Sequence, residues 1–307
     1  MRRWWIVAFL VVGVSCRRGP AWLSQAPLIG YRYTDDVGFS GYLPQPPRRV
    51  AVLTPAALGL WKAANIPTIT LTGCTSLGDD YQTFYLACDD PSALIDALYK
   101  AKVEWIWSDP TYTWPETPRP PAPLYYFHPK SLRDWLRALH FLGEVYDAPL
   151  LRQTADSLQK EVDTLLSRLA RERQFRVLPI GFADSVVLYA EAHPLGQLVR
   201  EAGGLPPSGK SPLLSPKVLK DSAFLPDIII LPAEKPEIIN ILLLEVPELY
   251  NSPAILHRRV FSMPRELMEA PFLSPLEAFY TLGRILHPEV MGSEMAPLPK
   301  PPKQIEE

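Results

Sequence analysis

Aromatic side chains are the first candidates for chemistry in this 307-residue chain. Tyr81, Phe84 and Tyr85 fall in one short segment, Tyr112 and Trp114 in another. Rings gathered in this way offer area and stacking to a large flat or greasy ligand. A phenolate can also ligate haem iron, and Tyr81, Tyr85 and Tyr112 are the tyrosines available for it, with no spacing that selects one. Polar partners come from the second half. Arg258, Arg259 and Arg265 carry guanidinium forks suited to carboxylates or a metal chelate, while Asp184 and Glu234 can accept hydrogen bonds from amides or amines. Catalytic constellations are missing: Gly-x-Ser-x-Gly, His-Glu-x-x-His and Ser-x-x-Lys as part of a coherent set are all absent. The nearest approach to a dyad is Asp184-Ser185 with His193. Five histidines, at 128, 140, 193, 257 and 287, lie on separate elements, and with three cysteines in all no structural zinc site or bound metal is expected. The residue types describe a binder and not an enzyme.

These side chains need a scaffold, and the pattern supplies one. Val50–Leu53 is a short apolar strand ended by Thr54-Pro55, Ala56–Ala64 has helical composition, and Pro67–Leu71 is the next strand. A strand, a helix and a strand in twenty-odd residues make a βαβ unit with parallel strands. Before it, two runs flank Asp36-Val37-Gly38 and predict a hairpin; after it come a helix over Ser92–Ala101 and a strand over Val103–Trp107. The second half repeats the theme. Strands are predicted at Arg176–Ile180, Asp227–Leu231 and Arg259–Ser262, with a strand or helix start at Val186–Tyr189. A helix over Pro194–Ala202 is closed by Gly203-Gly204, Met263–Ser274 is read as a rim loop, and Leu276–Leu286 as the final helix. Open parallel sheets bind ligands at the carboxyl ends of their strands. The candidate ligand set is therefore Thr54, Pro55, Tyr81, Tyr85, Tyr112, Trp114, Phe182, Asp184, Glu234 and Arg265.

Between the halves lies the clearest periodicity. Leu151, Ala155, Leu158, Val162, Leu165 and Leu169 are spaced four, three, four, three and four apart, one stripe along a helix. The run Tyr146–Glu172 thus predicts a strut of roughly 40 Å. The expected architecture is α/β: two Rossmann-like lobes of mostly parallel sheet, residues 31–145 and 173–291, joined by one long interlobe helix at 146–172.

The termini and totals bound the setting. With 31 basic and 33 acidic residues there is no electrostatic pull toward nucleic acid or an anionic membrane. Arg2-Arg3 and the eleven apolar residues Trp4–Val14 form a targeting signal too short to span a bilayer. The following Gly13-Val14-Ser15-Cys16 resembles a bacterial lipoprotein signal, which makes 1–16 a signal peptide, Cys16 the lipidated residue and 17–30 a tether; plain secretion with an incidental cysteine is the alternative. Either way the chain works outside the cytoplasm. Cys74 and Cys88 then remain, free to pair across a short loop in an oxidising compartment or to stay as two buried thiols. Residues 292–307 read as a disordered Pro- and Lys-rich tail.

Several segments, taken in order, resemble the class III periplasmic binding proteins that receive iron-siderophores, haem and cobalamin for ABC importers. They are Thr34-Asp-Asp-Val-Gly38, the Leu43-Pro…Arg49-Val50 approach to a strand, Glu201-Ala-Gly-Gly204, Ser215-Pro-Lys-Val-Leu219 followed by Leu225-Pro-Asp-Ile-Ile-Ile230, and Leu286-His-Pro-Glu289. The resemblance covers Tyr31 to Glu289. It implies a lipid-anchored, monomeric solute receptor with no resident cofactor, whose transported ligand carries the iron or cobalt. It also implies docking to a membrane permease through one carboxylate on each lobe. Asp96 matches the first; Pro216, with Lys217 beside it, stands at the second, and Asp221 is a substitute nearby. An envelope adaptor lipoprotein with the same fold and no small-molecule cargo is the alternative.

Overall fold

The computed structural model describes residues 30–66, 70–73, 84–85, 90–114, 119–182, 185–221 and 224–292, with backbone alone at 70–73, 84–85 and 221. The expected signal peptide with Cys16, the tether up to residue 29, Tyr81, Asp184, Cys74, Cys88 and the tail beyond Gly292 lie outside the described residues. Among those described, no helix is long and apolar enough to cross a membrane.

The first lobe opens with an antiparallel hairpin, β1 (Tyr31–Thr34) and β2 (Ser40–Leu43). Asp35 fixes its turn, accepting the Val37 and Phe39 amides at 3.1 and 2.8 Å. Five parallel strands follow: β3 (Arg49–Val52), β4 (Thr70–Gly73), β5 (Phe84–Tyr85), β6 (Trp105–Ser108) and β7 (Leu124–Tyr126), in the order β5-β4-β3-β6-β7. Alternation along the strands sends side chains to both faces. Val50, Val52, Trp105 and Trp107 meet α1 (Pro55–Ala64) and α3 (Leu132–Val145), whereas Ala51 and Ile106 meet α2 (Pro91–Lys100). The first face is aromatic. Trp61, Trp105, Trp107 and Tyr125 pack at ring separations of 4.2 to 6.1 Å, in edge-on and stacked pairs.

The second lobe is mixed. Its sheet runs β11-β9-β8-β12-β13, from β8 (Phe175–Phe182), β9 (Val186–Tyr189), β10 (Gly204–Leu205), β11 (Leu213–Leu214), β12 (Ile228–Pro232) and β13 (Val260–Met263), with β10 added along the start of β8. The β8, β12 and β13 strands are parallel; β9 and β11 run antiparallel to their neighbours. One face is covered by α5 (Pro194–Glu201) and α10 (Pro275–Leu286), the other by α7 (Ile238–Glu245). Short helices α6 (Val218–Asp221), α8 (Pro253–Leu256), α9 (Arg265–Glu269) and α11 (Pro288–Met291) complete it. The expected rim loop at 263–274 is therefore largely helical, since α9 and a 3-10 turn at Pro271–Leu273 occupy it.

The strut holds the whole apolar stripe Leu151–Leu169 but is shorter than the expected run Tyr146–Glu172. Tyr146–Ala148 form a turn, with Asp147 at φ 46°, and α4 spans Pro149–Leu169, 21 residues or about 32 Å. It packs antiparallel on α3, from Arg152 beside Gly143 to the Arg133–Asp163 ion pair at 2.6 Å. On the second-lobe side, Glu161 accepts a hydrogen bond from Tyr280 of α10. The lobes also touch directly: α1 meets the Pro271–Leu273 turn, so closely that a methyl on Gly59 would overlap the Leu273 backbone. One apolar cluster consequently runs unbroken from Val50 and Trp105 through Val162 to Val177, Leu198 and Phe279.

Candidate functional site

The carboxyl ends of the first-lobe strands carry four of the predicted ligand residues whose side chains are described, Thr54, Pro55, Tyr112 and Trp114. Thr54 follows β3, but its Oγ1 accepts the Ala57 amide at 3.1 Å and caps α1, and only 8% of it is exposed. Its hydroxyl is committed to the helix, while Pro55 beside it is exposed as the first helical residue. Tyr112 and Trp114 pair edge to face at 4.9 Å and lean on the α2 side of the sheet with Leu53 and Leu124. The Tyr112 hydroxyl and Trp114 Nε1 are buried, with no hydrogen-bond partner among the described residues. Burial, with the Asp90 carboxylate nearby, raises the Tyr112 phenol above its ordinary value. Tyr85 follows as backbone only, opposite Gly73.

A pair that sequence reasoning did not join stands beside them. Asp109 follows β6 and begins a turn with Pro110, a usual Asp-Pro turn pattern. Its Oδ1 accepts the Thr111 amide at 2.8 Å and the Thr111 hydroxyl at 2.5 Å. Its Oδ2 lies 3.0 Å from Nδ1 of His128, just past β7. Asp36 of the hairpin accepts the His128 amide at 2.8 Å. Burial would raise the Asp109 carboxyl, yet the hydrogen bonds from His128 and Thr111 outweigh it and hold it at about 2. His128 is raised, chiefly by its hydrogen bond to Asp109 and against its own partial burial. Asp109 stands just after a predicted strand, but the strand before His128, β7, is not among those predicted, and the separation of 19 residues concealed the contact.

Three predicted residues converge in the second lobe. Phe182 at the end of β8 and Arg265 at the start of α9 line a common recess with Tyr189, Pro232, Lys235 and Glu269. Glu234, after β12, accepts the Arg265 amide at 3.1 and 3.2 Å. Lys235 places its ammonium 4.1 Å from the Phe182 ring centroid, and Arg265 Nε donates to Glu269 at 2.7 Å. The recess holds about 10 Å³, room for one water, so it is a contact surface and not a pocket. Burial pushes the Tyr189 phenol up to about 12.

Other expected positions separate from the site. Arg258 and Arg259 precede β13, so they stand at the amino end of the sheet, and Arg259 lies over the Phe175 ring 5.7 Å away. They are remote from the strand ends that define the cleft. His193, once paired with Ser185 as a notional dyad, instead caps α5, its Nδ1 accepting the Leu195 amide at 3.1 Å; burial lowers it to about 4. Asp96 is exposed on α2, Pro216 is buried and Lys217 exposed.

No protein-family model and no curated protein matches the chain. Solved structures do. The periplasmic vitamin B12 binding protein BtuF of Vibrio cholerae matches with a TM-score of 0.61 at 15% identity, over 79% of this chain and 97% of its own. The periplasmic heme-binding protein BhuT, in complex with two hemes, matches at 0.55 and 18% identity over 80% and 99%. Holo-ViuP matches at 0.57 and 12% over 83% and 95%. At such identities the likeness is one of architecture: two α/β lobes, each presenting strand ends and their loops. The chain has the fold of the class III periplasmic binding proteins.

Proposed function

We propose that this protein is an extracytoplasmic solute receptor that binds a metal chelate between its lobes and delivers it to an ABC importer. The supporting observation is the shared fold of binding proteins for vitamin B12 and heme, with aromatic and charged side chains standing at the strand ends of both sheets. In this reading Cys16 carries a lipid, residues 17–30 tether the receptor, and Asp96 contributes to permease docking. Cys74 and Cys88 are proposed to be paired, because the strands that precede them lie side by side with Gly73 opposite Tyr85; alkylation without reductant, read by mass, tests this. The function itself is tested by titrating cobalamin, haemin and a ferric siderophore while following tryptophan emission and visible absorption. Saturable quenching with one of them is expected, and silence across the panel refutes the receptor role.

A second reading is an envelope adaptor without cargo. It is favoured by buried Pro216 with exposed Lys217 at the expected second-lobe acid position. Recovery of an envelope partner together with silence in the ligand panel would select it.

A further inference from the structure

Glu172, His287 and Glu289 meet where the interlobe helix ends and the second lobe closes. Glu172 follows α4, His287 follows α10, and Glu289 lies in the first turn of α11. One ligand atom from each lies within 4.8 Å of the others. His287 is 1% exposed, and its Nδ1 is 3.4 Å from Glu289 Oε1. Its Nε2 has no hydrogen-bond partner among the described residues and lies against Gly203, where an added Cβ would come within 2.7 Å of it. The polar outlet of this buried ring is thus Nδ1, on the carboxylate side. Among the described residues neither carboxylate is paired with a lysine or arginine. Arg173 and Arg259 lie over Phe175, whose ring touches His287 at 5.5 Å, and form no ion pair with either. Two carboxylates therefore surround one imidazole nitrogen without a cation.

We propose that Glu172, His287 and Glu289 bind a divalent transition-metal cation of the zinc class. A tetrahedral ion with bonds of about 2.0–2.1 Å has donor-to-donor edges of about 3.4 Å, the separation already present between Nδ1 and Glu289. Glu172 is exposed and closes the remaining distance by side-chain rotation. An imidazole with two carboxylates suits zinc, manganese or cobalt better than calcium or magnesium, which favour oxygen alone. Water completes the coordination. The ion would tie the end of α4 to the α10–α11 turn, which nothing else at this junction does by charge among the described residues. The site is independent of any cargo between the lobes.

The test uses the whole protein stripped with EDTA, then titrated with Zn²⁺ by calorimetry and thermal unfolding, with Co²⁺ as a spectroscopic probe. One ion per chain, a rise of a few °C in Tm and a tetrahedral Co²⁺ spectrum are expected. All three should be lost in Glu172→Gln with Glu289→Gln, exposed positions where the fold survives; buried His287 is left intact for that reason. Absence of stoichiometric binding, or binding unchanged in the double variant, overturns the proposal.

Discussion

Replacing Glu201 with Gln should abolish a specific pH dependence of stability. Glu201 ends α5 in the second lobe, and its Oε2 accepts the Leu132 amide at 3.0 Å, at the first turn of α3 in the first lobe. Burial raises its carboxyl from 4.5 to about 7; the Leu132 amide opposes this, Asp134 adds to it and Arg133 opposes it. The folded state thus keeps a proton that the unfolded chain has already lost. The resulting stability is complete below about pH 4.5 and disappears as pH rises through about 7. Its size is up to about 3 kcal/mol, at about 1.4 kcal/mol per pH unit. Gln retains a carbonyl oxygen for the Leu132 amide and removes the titration. Urea unfolding followed by tryptophan emission, on both proteins from pH 4.5 to 8, measures the difference. The wild type should lose stability relative to Glu201→Gln across that window. Parallel profiles would refute the reasoning, because groups titrating elsewhere cancel in the comparison.

Other outcomes follow from the same physical inventory. Asp109→Asn should cost about 1 kcal/mol, a small value because both partners are partly exposed. Asp109 stabilises above about pH 4 and loses its effect as pH falls through about 2, while raised His128 contributes below about pH 6.5; unfolding should therefore show the largest loss between those limits. Gly59→Ala should destabilise by about 2 kcal/mol or more, since the new methyl meets the Leu273 backbone, readable as a drop in urea midpoint. Thr54→Ala should cost about 1 kcal/mol through the lost α1 cap and leave ligand titrations unchanged.

Much of the fold was legible because it rests on local periodicity. The hairpin at Asp36-Val37-Gly38, the strands at 50–53 and 227–231 and the stripe from Leu151 to Leu169 each carry their own pattern. Helix α3 was not read, and the strut was extended into the Tyr146–Ala148 turn, where Asp147 takes a positive φ without being glycine, although Pro149 marks the first turn of α4. The site was legible only in outline. Strand ends can be located from a sequence, and they led to Phe182, Glu234 and Arg265, which do converge. What each side chain does there depends on partners far along the chain. Thr54 turned inward to cap a helix, and Asp109 met His128, since hydrogen-bond satisfaction of backbone and buried groups decides orientation.

The unbroken apolar seam from the first sheet through Val162 into the second bears on how such a receptor would work. Wide opening would wet that seam, so ligand capture cannot be driven by a large swing of one half against the other. Recognition must instead be set in advance by the standing shape of the strand ends. The tight meeting of Gly59 with the Leu273 backbone is the point at which any such opening would have to begin.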